Sequence, residues 1–441
     1  MEEKWTNKYG FILASIGSAV GIGNIWRFPY IMAKNGGGTF VIIYLICVFL
    51  FGLPLMLLEI STGRSIGGSI ARVFEKVFKK NKYLSIIPIL TIFFILSYYL
   101  VITGWTLFYF VNSIFGNYTN FDAFSSSFYP FLFTIITGLI VFVVISLGVV
   151  RGIEKLSRIL VPILFVLVSF LLIRSIIFTG SIENSIKYFS PNFSSITINT
   201  ILSAISQSLF SLSLGTGIML TYGGYLRRNE KIIRTSFIVV LSDTLISLAS
   251  AFIIISFVSY FNISVPEGTQ LSFVVFPKIF ESIKFGYIFG VLFFLLLFIA
   301  AITSAVSMME VIVKSVIDKF DLTRITSNLM VTIPLIFTSL LVSLTYTDII
   351  GFDLLGFLDL IFGEFMTPIS AVILCIGVSW HWKLNELIKE MGIEEELPLD
   401  KLGKEGVKME KFIAYKLVLN LVKYLIPILL IFIVFVRLFG R

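Results

Sequence analysis

The chain has 441 residues, is 57% hydrophobic before glycine is counted and only 14% charged, against ~45–50% apolar and ~25% charged in an ordinary soluble domain. That composition excludes a soluble globular class and reads as a protein of the lipid bilayer. Its 34 Lys and Arg against 26 Asp and Glu give a net charge of +8, which in so apolar a chain belongs to basic loops on one membrane face rather than to a nucleic-acid partner.

Runs of ~20 or more apolar residues read as spanning helices, and they fall near 10–33, 39–61, 84–113, 129–148, 155–178, 196–225, 235–260, 285–317, 326–346, 351–378 and 411–438, eleven in all. The first lacks a small-residue cleavage site and is too long for a signal peptide, so it is expected to stay in the mature protein. Arg64, Arg72, Lys76, Lys79, Lys80 and Lys82 follow the second run, Arg151, Lys155 and Arg158 the fourth, and Arg227, Arg228, Lys231 and Arg234 the sixth. The opposite breaks are poor in basic residues, which predicts a cytoplasmic N-terminus in the plasma membrane and Arg441 outside. Residues 264–284, with Pro266 and an apolar stretch at 271–276, suggest a short helix or hairpin over the outer face. The Lys- and Glu-dense stretch 383–410 reads as a solvated linker. Cys47 and Cys375 both lie in apolar runs and His381 is the single histidine, so disulfide frameworks, CxxC metal sites and His-based triads are excluded.

Two segments carry small and polar residues at membrane depth. The first contains Gly17-Ser18-Ala19-Val20-Gly21-Ile22-Gly23-Asn24, and the sixth Ser211-Leu212-Ser213-Leu214-Gly215-Thr216-Gly217. One such run alone would serve close helix packing. A matched pair, one in each half, points to interrupted helices lining a transporter's binding site. Segments 1–5 and 6–10 each hold an odd number of spans, so the halves would be inverted relative to each other.

Trp5, Gly10-Phe-Ile-Leu-Ala14, the run from Gly17 to Tyr30 and Asn35-Gly-Gly-Gly38 resemble the first-helix signature of the neurotransmitter:sodium symporter family. Further matches are Gly52-Leu-Pro-Leu-Met56 with Glu59 and Gly63-Arg64, Tyr98-Tyr99 with Trp105, Gly152-Ile-Glu-Lys155, Gln207 to Tyr225, and Thr303-Ser304. The resemblance implies an all-α polytopic fold of the leucine-transporter type, a 5+5 inverted repeat with broken helices 1 and 6 and an eleventh helix. It divides the chain into a first repeat at 1–178, a second at 179–378, a cytoplasmic linker at 379–410 and the last span at 411–441.

The same resemblance implies two Na⁺ sites. The first would use the Ala19 carbonyl, Asn24, Ser211, Asp243 and the substrate carboxylate; the second the carbonyls of Gly17, Val20 and Ala300 with the hydroxyls of Thr303 and Ser304. For Thr303-Ser304 taken alone, the ordinary reading is a back-bond to the preceding helical turn. The substrate pocket would be lined by Ser18, Ala19, Gly21, Ile22, Gly23, Ile95, Tyr99, Phe210, Ser211, Ser213, Thr216, Ser304 and Met308. Monoamine carriers of the family place an acid where Gly21 stands, which favours an amino acid here. Ile95, Phe210 and Met308 favour an apolar or aromatic side chain, and Thr216, where the leucine transporter has a large aromatic, bears on the substrate's size. Arg27 and Asp359 resemble the outer gate; Trp5, Tyr225 and Asp318 resemble the inner one, with Glu2 in place of the usual arginine and Lys4 as the nearest candidate partner of Asp318. Glu59 resembles the glutamate that supports the unwound part of helix 6, while Glu310 and Glu364 are acids at membrane depth without a matching role. Asp243, with Ser247 one turn later, implies chloride-independent transport. The expected partners are thus Na⁺, an amino acid as small-molecule substrate and the lipid bilayer, with no nucleic acid and the oligomeric state open. A sodium-conducting channel is the alternative, and an enzyme is not expected because no nucleophile–base constellation is present.

Overall fold

A computed structural model describes residues 3–79, 81–179, 182–263, 271–347, 351–381, 390 and 417–439. The expected linker lies almost wholly outside these residues, as do Glu2, Pro266 and the start of the last segment. Apart from breaks after Ala19 and at 212–217 and a few residues at the ends, the described residues of the expected spans are helical. In chain order the spanning pieces are α1 (Lys8–Ala19), α2 (Gly23–Lys34), α3 (Gly38–Ile66), α4 (Tyr83–Ile114), α5 (Tyr129–Ser146) and α6 (Val149–Phe178). They continue with α7 (Ile198–Ser211), α8 (Ile218–Gly224), α9 (Ile232–Tyr260), α10 (Gly286–Phe320), α11 (Arg324–Tyr346), α12 (Leu354–His381) and α13 (Leu417–Phe439). Among the described residues nine of these helices are long and apolar enough to cross a membrane singly, and α1 with α2, bent by 53°, makes a tenth span. The two short helices α7 and α8 take the sixth place on either side of residues 212–217.

Local chemistry sets the ends. Asn7 caps α1 by accepting from the Tyr9 and Gly10 amides, and Thr197 forms a reciprocal capping box with Thr200 at the start of α7. Val20 ends α1 in an extended conformation, ψ 93°, so its carbonyl leaves the helical ladder. Ser213, Gly215 and Gly217, with φ of 54°, 80° and 80°, put three left-handed residues into the gap between α7 and α8. Such backbone at membrane depth persists only where it is buried in protein or lines a cavity. The short helical pieces Leu271–Val275 and Phe276–Ser282 lie where a cover over one face was expected.

The broken pieces sit inside the bundle. α1 packs on α6, α9 and α10, α8 packs on α3, and α4 makes its most extensive contact with α10. The approach of α8 to α3 depends on missing side chains: a methyl on Gly63 would collide with the Leu220 carbonyl, and one on Gly223 would stand 2.5 Å from the Ile60 carbonyl. With no hydrophobic force between helices in lipid, such small-residue contacts are a principal source of packing energy. Large apolar side chains point outward on the peripheral helices, among them Val166 and Ile173 of α6, Ile333 and Phe337 of α11, and Ile428 and Phe435 of α13. That is the surface hydrocarbon requires.

Candidate functional site

The two helix breaks meet at the carbonyl of Ser18. Ser213 Oγ, from the second break, donates to it at 3.0 Å, and Ser304 Oγ, from α10, at 3.1 Å. Ser18 Oγ itself donates to Ser307 Oγ at 2.8 Å. Three separate elements are therefore fixed on one oxygen. On the α9 side, Asn24 bridges the first break, its Oδ1 accepting from the Gly21 amide at 3.0 Å. Its Nδ2 lies within hydrogen-bond distance of Asp243 Oδ1 (2.6 Å), Ser211 Oγ (2.8 Å) and Ser247 Oγ (2.9 Å). Ser211 Oγ donates to the other carboxylate oxygen of Asp243 at 2.6 Å. All four side chains are buried, so this is an oxygen-rich cluster holding a carboxylate away from water.

A second group of oxygens lies where α1 meets α10. Ser304 Oγ is 3.4 Å from the Gly17 carbonyl, and a methyl on Gly17 would stand 3.2 Å from Thr303 Cβ. Thr303 Oγ1 donates to the Ile299 and Ala300 carbonyls at 2.9 and 3.2 Å, the ordinary back-bond, while Ser304 reaches across to the other helix. Gly17, Ala300, Thr303 and Ser304 are thus neighbours, and they and Val20, three residues after Gly17, are buried. The second group offers only oxygen, the donor type of hard cations; the first offers the oxygens of Ser211, Asp243 and Ser247, with the Asn24 amide nitrogen turned toward them.

Between the two lies a mainly apolar cavity of ≈ 50 Å³. Of the expected lining residues, Ser18, Ala19, Gly21, Gly23, Ile95, Tyr99, Phe210, Ser213, Thr216, Ser304 and Met308 face it. Ile22 and Ser211 do not. Ile22 faces a larger cavity on the Arg27 side, because the bend after Ala19 turns it away while its amide donates to Tyr99 Oη at 3.3 Å. Ser211 turns its hydroxyl to Asp243. Ile92, Leu214, Ile218 and Thr367 also line the cavity. Ile92 is one helical turn before Ile95 and was within reach of periodicity; nothing in the sequence pointed to Thr367. Glu59 accepts from the Gly215 amide at 2.7 Å, so a buried acid of α3 holds the second break open.

The gates depart from expectation. Arg27 and Asp359 line one cavity of ≈ 660 Å³, but they make no ion pair. Arg27 faces Glu364 at 4.0 Å and stacks over the Phe210 ring at 4.4 Å, while Tyr98 Oη donates to Asp359 at 2.8 Å. The cause is the helix form: residues 359–366 are π-helical. The wider turn brings residues five apart onto one face, so both acids point at the cavity and compete for the arginine. At the opposite end, Trp5 is buried under Tyr222 and Tyr225; its Nε1 donates to the Tyr222 carbonyl at 3.0 Å and its amide to that of Tyr225 at 3.1 Å. Asp318 accepts from the Ser69 amide at 2.7 Å and pairs with Lys314 at 2.9 Å, whereas Lys4 Nζ reaches the Gly224 carbonyl at 3.0 Å. The residue missed at this end is Glu310. It accepts from Tyr225 Oη at 2.5 Å and pairs with Arg324, which also binds Glu3. The acid was visible in the sequence, but its partner stands at the start of the next helix, fourteen residues on.

The model of the sodium:neurotransmitter symporter family matches residues 2–123 and 131–435. This chain belongs to that family. An uncharacterised sodium-dependent transporter of Methanocaldococcus jannaschii is 32% identical to it over 88% of this chain and 84% of its own. Another from Bacillus subtilis is 33% identical over 71% of this chain and 72% of its own. The crystal structure of MhsT in complex with L-phenylalanine superposes with a TM-score of 0.85 at 31% identity, covering 98% of this chain and 99% of that one. The symporter is therefore a sodium-dependent, multi-pass membrane transporter of the leucine-transporter fold and not an enzyme.

Proposed function

We propose that the symporter carries an amino acid with an apolar or aromatic side chain, coupled to two sodium ions and independent of chloride. The carrying observation is a mainly apolar cavity between two helix breaks, with one buried oxygen cluster on each side. Freed amides at the breaks suit a carboxylate, and the oxygens at Asn24, Ser211 and Asp243, and at Gly17, Val20, Ala300, Thr303 and Ser304, suit Na⁺. Gly21 leaves no acid in the cavity to hold a lone amine, and Ile92, Ile95, Phe210, Ile218 and Met308 give the side-chain end its apolar character. That MhsT was crystallised with L-phenylalanine supports an amino acid of this kind. Asp243 brings a fixed negative charge beside the first ion, and a chloride there would meet a like charge in a poorly screened interior.

The reading places Trp5 on the cytoplasmic side of the plasma membrane and Arg27 on the outer side, with transport by alternating access. Reconstituted vesicles given each of the twenty common amino acids should accumulate one or a few apolar or aromatic ones under an inward sodium gradient. Replacing chloride by gluconate should leave uptake unchanged. Collapse of uptake in gluconate would overturn the chloride reading. A sodium conductance that needs no amino acid would overturn the symport reading in favour of a channel.

A further inference from the structure

The last helix, α13, lies outside the ten-segment repeat, yet it sends one charged side chain into the outer cavity. Arg437 Nη1 donates to the backbone carbonyl of Glu364 at 2.8 Å and stands 3.8 Å from its carboxylate; Nη2 donates to Ser206 on α7 at 3.2 Å. The other oxygen of the same carboxylate faces Arg27 at 4.0 Å. One acid is therefore shared by two arginines, each at the outer limit of an ion pair, while Asp359, one π-turn away, is held by Tyr98.

We propose that Glu364 is the seat on which Arg27 rests while the outer path is open, and that Arg437 is a positioning residue that sets how firmly Arg27 is held. The proposal rests on the symport reading, in which the path closes when Arg27 moves to Asp359. Sharing keeps the Glu364 contact weak enough to leave. With Arg437 present the carboxylate divides its charge between two guanidinium groups; without it the whole charge falls to Arg27. Loss of Glu364 and loss of Arg437 should then act in opposite directions. A residue that merely braced α13 would impair both alike.

The test uses a cysteine at Ser203, which lines the outer cavity, in a chain whose own Cys47 and Cys375 are buried. The rate of labelling by a membrane-impermeant methanethiosulfonate is followed in sodium, with and without a mixture of the common amino acids other than cysteine, whose free thiol would consume the reagent. In the Ser203→Cys background the mixture should slow labelling. Glu364→Gln should slow it already without amino acid, by about two- to five-fold, the scale of a part-exposed ion pair. Arg437→Met should keep labelling fast even with amino acid present and should slow transport. The double variant should behave like Glu364→Gln, since the proposed influence of Arg437 on Arg27 runs through that carboxylate and not through its bonds to the Glu364 carbonyl and Ser206. Shifts of the two single variants in the same direction, an Arg437→Met effect that persists in the Glu364→Gln background, or no shift in either would overturn the seat. Failure of the mixture to protect the unaltered background would instead overturn the symport reading beneath it.

Discussion

Asp243 has no exposed surface and two hydrogen-bond donors at 2.6 Å, Asn24 Nδ2 and Ser211 Oγ. A buried carboxylate so held is costly without a cation, so its neutralisation is expected to be the work of the first sodium ion. Asp243→Asn keeps the hydrogen-bonding shape and removes the charge. Uptake in chloride-free buffer should fall by roughly a hundredfold, the scale of deleting one partner of a buried charge pair, and return in part when chloride is supplied. Unchanged uptake without chloride would show that the carboxylate does not serve the ion. Thr303→Ala tests the second site and needs a matched control. Thr323 lies outside both sites, but its hydroxyl caps α11 through the Thr326 amide, so its loss alone costs ~0.5–2 kcal/mol of helix stability. Thr338 is better suited, because its hydroxyl back-bonds to Pro334 and Leu335 as that of Thr303 does to its own helix. Thr303→Ala should raise the sodium concentration needed for half-maximal substrate binding, and Thr338→Ala should leave it where it is.

At the scale of elements, the gap between α7 and α8 can be tested by its glycines. Gly217 has φ 80° and its missing side chain faces Ile70. Gly67, after α3, has φ 71° but open space around it. Alanine at either position meets a similar backbone penalty of ~1–2 kcal/mol, and only Gly217→Ala also pushes into a neighbour, Ile70, at the end of the second break. Substrate binding in sodium should weaken about tenfold for Gly217→Ala, since ~1.4 kcal/mol is a factor of ten, while Gly67→Ala binds normally. Equal losses in both would mean that general destabilisation is being measured. Both breaks were legible in the sequence because small residues clustered twice at membrane depth, at 17–24 and 211–217. The contact between Arg27 and Glu364 was not legible. An α-helical spacing places residues five apart on different faces, and only the π-helical stretch of α12 returns Glu364 to the face of Asp359. Arg437 was hidden for another reason: in a terminal apolar run, an arginine near the end reads as snorkelling to the interface.

For the molecule as a whole, the proposed substrate carboxylate beside the first ion makes the two affinities reciprocal. If sodium tightens amino-acid binding by some factor, the amino acid must tighten sodium binding by the same factor; equilibrium titrations in either order check it, and equal substrate affinity in sodium and potassium would remove the basis for coupling. The paths to the cavity are unequal. Gly23, Tyr99 and Phe210 line both the central cavity and the larger one beside Arg27, so one thin layer separates them, whereas the opposite end is closed by Trp5 bonded to Tyr222 on α8 and to Tyr225 just after it. The close seating of α8 against α3 at Gly63 and Gly223 has a mechanical consequence. With no side chains at these points to slide or repack, the two helices behave as one stiff lever, and the N-terminal segment is fastened to it through Trp5. In the proposed alternating access, a rotation of that lever would fall on residues 212–217, where the Ser213 hydroxyl donates to the Ser18 carbonyl.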